Sequence, residues 1–65
     1  MIITYNGSDI DVPEETTPIG LIHRFGYQTN LTAIWCNGRQ IMFEEYETLI
    51  FSPNDNVRIA HLFIG

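Results

Sequence analysis

Ile3 and Tyr5 alternate with Ile2 and Thr4 at the two-residue period of a β-strand. Asn6-Gly7 favours the positive φ of a tight hairpin turn, and Ile10 and Val12 continue as the return strand. Pro13 ends that strand, because it has no N–H to give a ladder. The period then changes. Across TTPIGLIHRFG, Pro18, Leu21, Ile22 and Phe25 fall on one face at helical spacing, which predicts a short helix. Thr17 can cap it, Pro18 suits the first helical position and Gly26 can take the left-handed stop. Gly20 costs roughly 1 kcal/mol against Ala, so packing rather than propensity must hold this helix.

A second hairpin follows. Its strand covers about Leu31 to Cys36, and Asn37-Gly38 supplies the turn. Met42 to Thr48 predicts a helical turn or irregular cover, with Tyr46 pinning it down. Ser52 to Asn56 is a polar turn, and VRIAHLFI is the final strand. If that strand pairs between the first and the third, it is the centre of the sheet. Strands on one side and a helix on the other give an α+β fold, one domain over 1–65.

Alternation also sorts the faces of the last strand. If Val57, Ile59 and Phe63 point to the helix, Arg58, Ala60, Leu62 and Ile64 point outward. Trp35, Ile2 and Thr4 are expected on that same outer face. As a functional surface this would be a docking site: Trp and Arg are favoured interface anchors, and an exposed apolar patch often marks a partner. The plainer reading is that Trp35 is partly covered and stiffens the sheet. Cys36, opposite Trp35 in orientation, is expected inward as a buried structural thiol.

Size and charge narrow the classes. A chain of 65 residues buries only about 60% of the surface its unfolded form exposes. Its core supplies about 3–5 kcal/mol net. That leaves little room for an enclosed active site and favours a binding or carrier role over an enzyme. Net charge is −5, from eight acids against three arginines and no lysine. This argues against nucleic acid and against an anionic membrane surface. A partner with a basic groove is the natural complement; the alternative is that the acids only keep a small domain soluble. One cysteine cannot form an internal disulfide, so a reducing cytoplasm is expected. No apolar run approaches the roughly 18 residues of a membrane span. His23 and His61 lack the neighbours of a metal site, and Glu14-Glu15 and Glu44 to Glu47 read as solvated faces. No catalytic or metal-binding residues are expected.

The order and spacing of these features carry a likeness: Asn6-Gly7, the Val12-Pro13-Glu14 step, Thr17 with Leu21-Ile22 and Phe25-Gly26, Asn37-Gly38, Glu44 with Tyr46, then Asp55 and Val57 eight residues before Gly65. Together they resemble the ThiS/MoaD family of ubiquitin-like β-grasp sulfur carriers, above all its thiamine-pathway branch. The resemblance implies a mixed sheet of four to five strands on one main helix. It implies that the working group is the C-terminal carboxylate, here that of Gly65. A ThiF-like adenylating enzyme would activate it with ATP, sulfur would displace AMP to leave a thiocarboxylate, and a ThiG-like thiazole synthase would take the sulfur. The carrier would be a protein cosubstrate, monomeric when free, with no stably bound cofactor. A carrier for molybdopterin or another sulfur pathway, or a non-conjugating β-grasp binding module, are the alternatives. The chain departs from the family pattern in three places. It shows one glycine at the end where the family has two; were a single glycine the natural ending, the reach would fall by up to about 3.5 Å. Met42-Phe43 stands where Pro-Arg is frequent, and Pro53-Asn54-Asp55 where Asp-Gly-Asp is usual.

Overall fold

The computed structural model describes residues 1–62. Two hairpins bracket one helix, as the periodicity predicts. Strand β1 (Ile2–Tyr5) turns through Asn6 and Gly7 into β2 (Ser8–Asp11), with Ile3 opposite Ile10 and Thr4 opposite Asp9. Helix α1 (Pro18–Arg24) follows. Strand β3 (Thr32–Cys36) turns through Asn37 and Gly38 into the short β4 (Arg39–Gln40), and β5 (Asn56–His61) closes the sheet. The strand order is β2-β1-β5-β3-β4. β5 runs parallel to β1 and antiparallel to β3. The last strand is therefore the centre of a five-stranded mixed sheet.

A helix of seven residues is marginal in isolation. The Thr17 hydroxyl accepts the Gly20 N–H at 3.2 Å, Pro18 occupies the first turn and Gly26 takes φ +71°. Pro18, Leu21 and Ile22 are buried. The Ile19 N–H, left without an intrahelical partner so near the start, donates to the Tyr46 carbonyl at 2.9 Å. Phe25 is the C-cap and only half-buried, stacked on Tyr5 at 4.4 Å between ring centroids. Ile3, Leu21, Ile22, Ile34 and Val57 are completely buried, with Val12, Ile41, Tyr46, Phe51 and Ile59 packed round them.

The connections differ in detail from the sequence expectation. Leu31 belongs to a 3₁₀ turn (Thr29–Leu31), so β3 starts at Thr32. The cover predicted over Met42 to Thr48 contracts to a 3₁₀ turn at Phe43–Glu45. Tyr46 does pin it: the residue is buried and its hydroxyl donates to the Thr32 carbonyl at 3.1 Å. In the polar turn, Asn54 adopts φ +69°, a left-handed conformation that asparagine tolerates where glycine is the usual choice. The Asp55 carboxylate accepts the Ser52 N–H at 2.8 Å and closes that turn.

Candidate functional site

The strand register builds the outer face. Ile34 pairs with Ile59 and both point into the core; the next pair along, Trp35 with Arg58, points the other way, as does Ala33 with Ala60. On β1 the buried Ile3 fixes Ile2 and Thr4 outward. The sheet thus brings five sequence-predicted residues, Ile2, Thr4, Trp35, Arg58 and Ala60, onto one face that no helix covers. Leu62 follows the end of β5 and is 61% exposed. Ile64 and Gly65 lie outside the described residues, as does Phe63.

This face is charged unevenly. A shallow depression of about 360 Å³ is lined by Trp35, Gly38, Asn56, Arg58 and Ala60. Trp35 is half-buried there and Arg58 exposed. The register puts Asp9 and Asp11 of β2 opposite Thr4 and Ile2, so the acids line the far edge. Thr4 donates to the Asp9 carboxylate at 3.4 Å. Across the face one passes from carboxylates, over small and apolar side chains, to a guanidinium beside an indole. The other two arginines serve the fold: Arg24 donates to the Asp11 carbonyl at 2.8 Å and Arg39 pairs with Glu45.

Two residues outside the expected set hold the central strand. The Asn6 amide nitrogen donates to the Ile59 carbonyl at 3.1 Å, and its oxygen accepts the Ile59 N–H at 2.8 Å. Asn37 accepts the Asn56 N–H at 2.9 Å and donates to the Asp55 carboxylate at 3.0 Å. Each of the two Asn-Gly turns therefore does two things. Its asparagine takes the positive φ, +47° and +53° respectively, and its side chain grips β5 from one flank. From sequence they read as turn formers alone. The available signal was the choice of asparagine over glycine, since only the amide offers both a donor and an acceptor.

Among the remaining candidates, Cys36 faces the core side but is only half-buried. Burial first, then the nearby Asp55 carboxylate, pushes its thiol up to about 11, which makes it a poor nucleophile at neutral pH. Tyr5 is pushed up to about 12 by burial and by its 3.0 Å hydroxyl contact with Tyr27. His61 accepts the Gln28 N–H at 3.2 Å and stacks on Tyr27 at 4.7 Å, a packing role. Among the described residues, no three His, Cys, Asp or Glu side chains come together as a metal site. No helix there is long and apolar enough to cross a membrane.

No protein-family model matches the chain, and no curated protein matches it in sequence. A solved structure does match: the thiamine biosynthesis protein ThiS from Geobacter metallireducens superposes with a TM-score of 0.83, covering 100% of this chain and 99% of its own, at 20% identity. This is the β-grasp fold. The agreement concerns the path of the backbone and extends over the whole length. In this β-grasp sheet the helix occupies one face, and Trp35 and Arg58 mark the centre of the other.

Proposed function

We propose that this β-grasp chain is a sulfur carrier of the thiamine-biosynthesis type. The observation that carries the reading is the full-length likeness of fold to a protein described as a thiamine biosynthesis protein. The resemblance read from the sequence makes Gly65 the residue proposed to carry the activated carboxylate. In the proposed cycle a carboxylate oxygen of Gly65 attacks the α-phosphorus of ATP on a ThiF-like enzyme, and pyrophosphate leaves. Hydrosulfide released from the sulfur donor then attacks the acyl carbon; a C–S bond forms, the C–O bond breaks with AMP as leaving group, and loss of the sulfur-bound proton leaves a thiocarboxylate for a ThiG-like synthase. The partners supply the catalytic groups. The carrier supplies a backbone end without a Cβ, which can approach a nucleotide closely, and a face on which to dock.

Two features of the chain suit that chemistry. None of its 65 residues is a lysine, so no side-chain amine competes for an activated carboxyl. Its one thiol, Cys36, is held mostly protonated. The open face around Trp35 and Arg58 is the surface we assign to docking, with Ile2, Thr4, Ala60 and Leu62 as its surroundings. The test is to incubate the chain with ATP, the adenylating enzyme and a sulfur donor, then measure the intact mass. A gain equal to the exchange of one oxygen for sulfur supports the reading. An unchanged mass, under conditions where the enzyme activates its own carrier, overturns it.

A further inference from the structure

The turn Phe43–Glu45 and the Met42 before it lie beside α1, where the Ile19 N–H meets the Tyr46 carbonyl, and they display two apolar side chains outward. Phe43 is 69% exposed and Met42 58%. Isolated exposed apolar residues are ordinary, so the setting decides whether these matter. The turn is held rigidly. Arg39 grips the Glu45 carboxylate with two bonds, at 2.9 and 3.0 Å. The same carboxylate accepts the Met42 N–H at 3.0 Å, and the Tyr46 carbonyl accepts the Ile19 N–H of α1. Phe43 leans on the buried Tyr46 at 5.4 Å between ring centroids. An exposed aromatic on a preorganised base loses little freedom when it binds.

Beside it is a shallow groove of about 290 Å³, lined by Ile19, Thr29, Phe43, Tyr46 and Thr48, with Glu44 and Glu47 at the rim. Both rim carboxylates are exposed. Glu45 already has its counter-charge in Arg39, and among the described residues no cation lines the groove. The apolar floor and the uncompensated rim ask for opposite things from one occupant: an apolar side chain and an adjacent positive charge. A second copy of this chain is the wrong occupant, because it would bring the same acidic rim to a molecule of net charge −5.

We infer that the Phe43 groove is a docking site for a protein segment in which an apolar side chain is flanked by arginine or lysine. It is separate from the open sheet face, so both surfaces can be occupied together. The inference does not depend on the sulfur-carrier reading.

The test uses two capped peptides, Arg-Leu-Leu-Arg and Glu-Leu-Leu-Glu, titrated into the isotope-labelled chain and followed by amide chemical shifts. The arginine peptide is expected to move the signals of Ile19, Thr29, Phe43 and Thr48, to bind about tenfold more tightly than the acidic peptide, and to weaken as salt is raised. Phe43→Ala should remove the binding. If that variant loses its fold, Glu44→Gln with Glu47→Gln keeps the groove and should bring the two peptides to equal affinity. Shifts confined to the Trp35–Arg58 face, equal binding of both peptides to the unmodified chain, no binding of the arginine peptide, or self-association through Phe43 would each overturn the inference.

Discussion

The two faces of the sheet are built from the same strands, one residue apart. Ile34 and Ile59 are fully or almost fully buried, whereas their neighbours Trp35 and Arg58 look away from the helix. A side chain on the inner face contributes to the free energy that keeps the domain folded. A side chain on the outer face can change its chemistry with little effect on that energy. The lesson is a division of labour with a period of two. The sharpest way to break it is Ile34→Ala. Losing a fully buried isoleucine costs about 2–5 kcal/mol, comparable with the roughly 3–5 kcal/mol that a core of this size supplies. Urea denaturation should show Ile34→Ala largely unfolded and Trp35→Ala within about 1 kcal/mol of the parent. Equal losses for the two would end the distinction.

Binding should invert the order. On the proposed function, Trp35→Ala keeps the fold and weakens capture by the adenylating enzyme by about 2 kcal/mol, some thirtyfold, as expected for a central aromatic anchor. A calorimetric titration against that enzyme measures it. Arg58→Ala should cost less and should flatten the salt dependence of association. If Trp35→Ala binds as the parent does, recognition lies elsewhere on the molecule.

The latches test whether the central strand is held from its flanks as well as by the core. Asn6→Gly keeps a residue at ease with φ +47° but removes both bonds to Ile59. Two net hydrogen bonds are worth about 1–3 kcal/mol. Part of that is returned by the glycine, which relieves the strain of the left-handed turn. Hydrogen exchange at the Ile59 amide is the direct reading: it should accelerate in Asn6→Gly while the amide of Ile34 stays protected. Unchanged protection at Ile59 would leave Asn6 a turn former only.

That result bears on what a sequence can reveal. The inner face was legible because burial imposes a period, and one residue of slip would turn Ile3, Ile34 and Val57 to solvent. Both hairpins and the helix stop were legible because Asn-Gly pairs and Gly26 satisfy a local demand for positive φ. Five outer-face residues followed by elimination. The Asn6 and Asn37 grips were not legible, because each joins positions 53 and 19 residues apart through a side chain that local geometry had already explained. The 3₁₀ turn at Thr29–Leu31 was hidden for a related reason: its bonds, including the Thr32 hydroxyl to the Gln28 carbonyl at 2.6 Å, carry no periodic signature. The groove at Phe43 was not legible because it needs Ile19 and Tyr46, from two separate segments, to form it.

The smallest expected effect concerns the base of that groove and depends on pH. Hydrogen bonds from Arg39, then from the Met42 N–H, hold the Glu45 carboxyl down to about 2, against an ordinary 4.5. A depressed carboxyl favours the fold where it is ionised. Its contribution is complete above pH 4.5, declines as pH falls below that, and is gone once pH has passed through about 2. The pair is at the surface, so the change in global stability is slight; the local change should still be visible. The Glu45 side-chain carbon should titrate near the low value in the parent, and the Met42 amide signal should move with it. Arg39→Gln removes the leading cause and should return the titration toward the ordinary range. The amides of Ile34 and Ile59, on the core face of the sheet, should ignore the transition. A parent titration already at the ordinary value would mean that Arg39 does not clamp the turn, and that Phe43 is displayed on a looser base than its contacts imply.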